Sequence, residues 1–286
     1  MLSEPSERRY ITIPELREVT PPIGEPLGIQ DYLNAANVKI KTQKDNLAQK
    51  IVMARQAVEE YTGRALVTRV VDQIISYDIE QPMDILTLRM PPVRKINGVY
   101  IYDPYGNESL VASTVYFKSM TSDPYTTIGL FPGQIWGSFL ADFEAFRINT
   151  VCGYSTLVTS IDVISNVITA TGHPYTNGEI VRLQLAYDDD TAPLVPGGLA
   201  LFTNYYAINV SGDNLQLAAT PIGAAIDITD EGSGKIFLGE IPEKLRRAIL
   251  ITAANDFLQD ELAIENNEII PAPVKNAIRS YKRTWI

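Results

Sequence analysis

The sequence predicts an α+β protein: helices packed with a small antiparallel β region, interrupted by an inserted all-β domain. Three observations predict it. An apolar stripe of helical period ends at Tyr61. From Ala65 the texture changes to short β-branched and aromatic runs separated by Gly, Pro and Asn turns, and it stays so to Leu238. At Ile241 a helical pattern returns whose apolar residues run nearly all round, so that helix needs partners laid down before the β stretch.

Residues 1–26 hold five prolines and little periodicity, and read as an extended arm with a short strand at Tyr10–Ile13. A short helix is expected from about Gly28 to Ala36. The first long helix follows, with Leu47, Ile51, Ala54, Val58 and Tyr61 on one face and Thr42 and Asp45 as a weak capping box. In "EEYTGRALVTR", Gly63 is the left-handed stop and Arg64 a cation placed favourably near the helix end. An anion would be repelled there, because carbonyls gather at that terminus, so the Thr-Gly-Arg is not a phosphate loop. Strands then follow in "VTRVVDQIISY", "DILTLRM", "INGVYIYD", "STVYFKSM" and "FEAFRINTVCGY", with residues 102–107 as a hairpin loop.

Residues 155–240 keep the β texture but change in charge. They carry ten acids and two bases (Arg182 and Lys235), which is −8 of the formal −10. Strands are expected at Val163–Ala170, Ile180–Leu185, Tyr205–Asn209, Asn214–Ala218 and Lys235–Leu238. Pro242 and Glu243 open the second long helix, and a last short helix spans about Val274 to Lys282 on a face of Val274, Ala277 or Ile278, and Tyr281. The expected organisation is an arm (1–26), a core of helices and strands (27–154 plus 241–286), and an inserted acidic β module (155–240).

Composition narrows the function classes. Hydrophobic residues make up 45% and charged residues 20%, which is globular composition. No apolar run approaches the ~18–20 residues of a membrane span, and the N-terminus has no apolar signal core. So acidic a chain is a poor tight binder of duplex nucleic acid, though it suits a passage through which DNA slides without sticking. No catalytic constellation emerges, and no cofactor or metal is expected. His173, the single histidine, lies in a turn without a nucleophile motif, and Cys152 lies in a strand run as a small hydrophobe. Asp188, Asp189 and Asp190 offer hard oxygens without calcium-loop spacing, and such an acidic tip is more often solvated. No carboxylate pair is singled out for glycoside hydrolysis. A glycan-binding or glycan-degrading protein acting through residues 155–240 stays the alternative.

Taken in order, "IQDYLNAANV", "AVEEYTGRALVTR", "LRMPPVRKINGVYIYDPYGNESLV", "GLFPGQIWG", "VCGY", "IPEKLRRAILITAANDFLQDE" and "PAPVKNAIRSYKRTWI" resemble the head–tail connector (adaptor) proteins of tailed bacteriophages. The resemblance covers roughly residues 27–154 and 241–286. "VITATGHPYTNGEIVRL" and the residues that follow are similar to a β module of phage structural proteins. The resemblance implies a structural virion protein at the head–tail junction, made in the bacterial host cytoplasm. It implies a homo-oligomeric ring, commonly dodecameric, seated on a portal protein. DNA passes through its channel without sequence-specific binding, and a neck or tail-completion protein follows. The C-terminal segment would dock on the portal. Lys275, Arg279, Tyr281, Lys282, Arg283 and Trp285 are the expected docking residues: cations with no acid among residues 275–283, and aromatic anchors.

Overall fold

The computed structural model describes residues 15–29, 31, 44–76, 85–119, 127–137, 144–187, 193–262 and 269–282. In chain order these form β1 (Glu15–Thr20), α1 (Lys44–Thr62), β2 (Arg69–Ser76), β3 (Ile85–Thr87), β4 (Val93–Tyr102), β5 (Glu108–Leu110), β6 (Tyr116–Lys118), β7 (Thr127–Leu130) and β8 (Glu144–Cys152). The acidic stretch contributes β9 (Thr156–Leu157), β10 (Ser160–Asp162), β11 (Val167–Thr169), β12 (Ile180–Val181), β13 (Leu183–Ala186), β14 (Tyr205–Ser211), β15 (Asn214–Ala218) and β16 (Lys235–Leu238). The chain then forms α2 (Glu243–Leu262), α3 (Ala272–Ile278) and a 3-10 turn at Arg279–Tyr281. The fold is α+β, and among the described residues every pair of these strands is antiparallel.

Three apolar clusters organise it. The first is helical: the expected stripe of Leu47, Ile51, Ala54 and Val58 on α1 meets Leu245, Ile249, Ala253 and Phe257 on α2, and Val274 and Ile278 on α3. Lys50 crosses from α1 to Asp256 of α2 at 2.7 Å. The all-round apolar run of α2 is buried on more than one side, and among its described large apolar residues only Ile251 is well exposed. The second cluster lies between the sheet ordered β1-β2-β8-β4-β5 and the smaller sheet ordered β3-β7-β6. Leu86 and Ile128 fill its centre, and the Trp136 ring stands edge-on to Phe146 at 5.3 Å. The third cluster lies within residues 161–238, between the sheets ordered β10-β11-β15-β14-β12 and β13-β16-β9.

Three sequence expectations change, and a fourth lies mostly outside the described residues. The arm residues Glu15–Thr20 form a strand on the edge of the main sheet, paired with β2 of the same chain; the strand expected at Tyr10–Ile13 lies outside the described residues. The helix expected at 28–36 is described only at Ile29 and Asp31, both helical; Thr42 lies outside, as does the side chain of Asp45. The single strand expected at Val163–Ala170 is instead the turn and second strand of a hairpin whose first strand is β10. Asp162 accepts the Ile164 amide at 3.0 Å and the Ser165 hydroxyl at 2.6 Å, and Asn166 takes φ +57°. That turn chemistry overrides the β-branched pattern. The run at Ile180–Leu185 breaks at Arg182, where the chain leaves one sheet and joins the other. Asn214–Ala218 and Lys235–Leu238 form strands over the expected residues.

The chain enters and leaves the acidic stretch side by side, since Thr156 of β9 pairs with Leu238 of β16. Gly153 permits the approach that starts it. Its φ is +126°, and a Cβ there would lie 2.6 Å from the backbone of Thr68 and Val67. Gly153→Ala is therefore expected to cost about 3 kcal/mol or more in urea unfolding. Gly212→Ala, at φ +59° with nothing within 4 Å, is expected to cost about 1 kcal/mol.

Candidate functional site

The segments that carry the sequence signal are far apart in the chain and meet in space behind the end of α1. The Gly63 and Arg64 amides both donate to the Glu59 carbonyl, at 2.8 and 3.2 Å, and Gly63 takes φ +66°, which ends the helix. The next residues are clamped from two sides. Ala65 N–H donates to Pro91 O and Gly153 N–H to Pro92 O, both at 3.0 Å, while Tyr154 N–H donates to Leu66 O at 3.1 Å. "YTGRAL", "MPPV" and "VCGY" thus share one hydrogen-bonded knot.

Arg64 ties this knot to the C-terminal segment. It is 4% exposed. Its Nε donates to the Tyr281 carbonyl at 3.0 Å, its Nη1 donates to the Tyr154 hydroxyl at 2.7 Å, and its guanidinium lies 5.5 Å from the Tyr281 ring centre. The expectation of a cation serving a helix dipole is too modest, because the side chain is a buried bridge between three segments. Tyr61 adds a second tie, donating to the Lys275 carbonyl at 3.3 Å, with the Lys282 ammonium 4.9 Å from its ring centre.

A charge network underlies the knot. Glu59 is buried, and its carboxylate accepts the Leu66 amide at 2.7 Å, Arg55 at 2.6 Å and Arg69 at 2.6 and 2.7 Å. Arg55 also donates to Glu25 at 2.7 Å. Burial pushes the Glu25 carboxyl up to about 7, against the pull of Arg55. A second buried acid, Asp31, accepts Gly28 and Tyr187 amides at 3.0 and 3.2 Å and Arg246 at 2.7 Å. Burial raises it too, with those three donors opposing. Sequence reasoning missed Glu25, Asp31, Arg55, Glu59 and Tyr154. The only local signal was the Arg55–Glu59 spacing of four, which ordinarily marks an exposed helix pair.

Of the six expected docking residues, Lys275, Arg279, Tyr281 and Lys282 are described; Arg283 and Trp285 lie outside the described residues. Val274, Ile278 and the half-buried Tyr281 turn towards the chain's own helices, and Ala277 is exposed. Arg279 and Lys282 are exposed. Tyr281 is already engaged by Arg64, which leaves the cations as the accessible part of this surface.

The remaining candidates for chemistry sit in structural settings. His173 is buried in its turn, where Nδ1 accepts the Tyr175 amide at 3.1 Å. Burial lowers its pKa, Asp213 opposes, and Lys95 adds to the lowering. Cys152 is fully buried, which pushes its thiol up to about 11. Asp188, Asp189 and Asp190 lie outside the described residues. Among the described residues no group of three or more His, Cys, Asp or Glu side chains is placed to hold a metal ion, and no helix is long and apolar enough to cross a membrane.

The fold has solved counterparts. The chain is similar to one in the virion of a native gene transfer agent (GTA) particle, with a TM-score of 0.53 at 14% identity, over 95% of this chain and 96% of that one. It is equally similar to a chain in the neck of the empty GTA particle computed with C6 symmetry: TM-score 0.53, 14% identity, 95% and 97% of the two chains. A chain in the neck of the native particle computed with C12 symmetry gives 0.51 at 14% identity over the same shares. At that identity the likeness is one of fold. It runs through the acidic stretch and does not stop on either side of it. No protein-family description and no curated protein matches the chain.

Two measurements test the site. Arg64→Met removes the hydrogen bonds to the Tyr281 carbonyl and the Tyr154 hydroxyl and is expected to cost about 2–3 kcal/mol. Hydrogen exchange should show amides of residues 272–282 losing protection before those of the main sheet. For His173 the folded state favours the neutral ring. Its contribution is present above the ordinary histidine pKa and is lost as pH falls below it. Thermal melts of His173→Gln should therefore fall less steeply than wild type on acidification below about pH 6.5.

Proposed function

We propose that this chain is a structural virion protein of a phage-like particle: a head–tail adaptor whose copies form a ring on the portal and extend the DNA channel. The ring also offers the attachment surface for the next neck or tail-completion protein. The observation that carries this reading is the end-to-end likeness to chains of a particle and its neck, over 95% of this chain and 96–97% of theirs. The ordered motifs add support, because segments distant in sequence converge on one knot. In this reading residues 27–154 and 241–286 are the adaptor core, residues 155–240 are a module carried on it, and the ring is twelve-fold. DNA passes through without sequence-specific contacts, which suits a chain of net charge −10.

Docking on the portal falls to the C-terminal segment. α3 buries its apolar side inward with Lys275 half-buried, and Arg279 and Lys282 just beyond it are exposed, with Arg283 and Trp285 following in sequence. Cations on a strongly acidic chain select an acidic partner surface. Arg279→Glu is the cleanest test, since Arg279 is exposed and its substitution should change stability by no more than about 0.5 kcal/mol. Purified portal rings should bind this variant at least about tenfold more weakly than wild type. Equal binding by the two chains refutes the docking surface. Failure of the wild-type chain to associate with any portal, or to form a ring there by imaging, refutes the adaptor role.

A further inference from the structure

Residues 15–29 and 31 touch the main sheet, the acidic stretch and the helices. β1 pairs with β2 of the main sheet, and Glu18 reaches Arg69 at 3.6 Å. Gly24 packs on Leu157 of β9, where a Cβ would lie 3.0 Å from the leucine Cδ2. The Pro26 carbonyl accepts Gln184 of β13 at 2.9 Å, and Gln184 in turn accepts the Ile241 amide at 3.0 Å. Leu27 is buried among the helices. Asp31 joins Arg246 of α2 to the Tyr187 amide of the acidic stretch. One short segment therefore fastens the acidic stretch to the helices and the sheet together.

Glu25 sits at the middle of this segment in an unbalanced setting. Its side chain is 15% exposed, and Oε2 pairs with Arg55 at 2.7 Å. Arg55 is shared, because it also serves Glu59 at 2.6 Å. The other oxygen, Oε1, is buried without a hydrogen-bond partner. The charged groups facing Glu25 are Arg55 and Glu59 from α1 and Lys235 from β16. Behind Glu59 stands Arg69 of β2, which already gives Glu59 two hydrogen bonds. An ionised Glu25 thus holds a second buried carboxylate against one shared arginine, with one oxygen bare.

We infer that residues 15–31 act as a strap joining the acidic stretch to the helices, and that Glu25 is its proton-operated catch. The strap holds tightest when Glu25 is neutral and loosens as Glu25 ionises. The direction follows from linkage. The carboxyl titrates at about 7 in place and near 4.5 when released, so the seated strap binds the extra proton. The stabilisation is full below the lower value and is lost as pH rises through the upper one. Loosening the strap frees the acidic stretch to turn about its paired ends.

Hydrogen–deuterium exchange on the full chain tests this. After correction for intrinsic exchange, amides of residues 15–29 are expected to lose protection on the order of tenfold or more between about pH 5.5 and about pH 8. Glu25→Gln keeps a neutral, hydrogen-bonding side chain at both values and should abolish the difference. Unchanged wild-type protection overturns the proposal, and so does a Glu25→Gln chain that keeps the full pH dependence. If the variant does not fold, carbon-detected NMR titration of the wild-type Glu25 carboxyl decides. A midpoint near 7 supports the catch, and one near the ordinary 4.5 refutes it.

Discussion

The buried carboxylate of Glu59 is the constraint from which the rest of the architecture is hung. The residue closes α1 through its own backbone carbonyl and fixes the first residues after the helix by accepting the Leu66 amide. It also holds two arginines, one from its own helix and one from the first long strand of the sheet. Removing one partner of such a group strands the others: an unpaired buried charge costs about 3–5 kcal/mol, more than the pairing itself contributes. Glu59 therefore acts less as a source of stability than as a determinant of geometry. Helix end, strand start and N-terminal strap are placed correctly together or not at all.

Much of the scaffold was legible in the sequence because it is governed by local rules. The α1 stripe, the Gly63 stop, the helix opening at Pro242 and the strands at Asn214–Ala218 and Lys235–Leu238 follow from periodicity and backbone preference. What escaped depends on tertiary context. Arg64 looks like any cation after a helix until Tyr154 and Tyr281, which are 90 and 217 residues further on, are brought to it. The break at Arg182 is invisible because Ile180–Leu185 has strand character throughout, and only the packing of two sheets decides that it serves both. The strand at Glu15–Thr20 is half acidic or basic and lies on an edge, where β propensity is a weak guide.

The candidate site was legible in a different sense. The C-terminal cations and aromatics stood out by residue type, but their division of labour did not, and Glu25, Asp31, Arg55, Glu59 and Tyr154 did not stand out at all. Tyr281 has the look of an anchor for a partner, but it is spent on the chain's own Arg64. The cations beside it are what the surface presents. An aromatic in a terminal helix serves whichever buried group reaches it first, and that competition is settled by packing, which sequence spacing does not encode.

The side-by-side strands at the two ends of the acidic stretch have a consequence for which parts of the chain tolerate change. The scaffold meets that stretch as two chain ends one strand spacing apart, about 4.8 Å, plus side-chain contacts that include those at Leu157, Gln184 and Tyr187. Any β fold whose termini leave it as neighbouring strands meets the first demand. Outer loops of the stretch can therefore change in length or charge without disturbing the helices or the Glu59 knot.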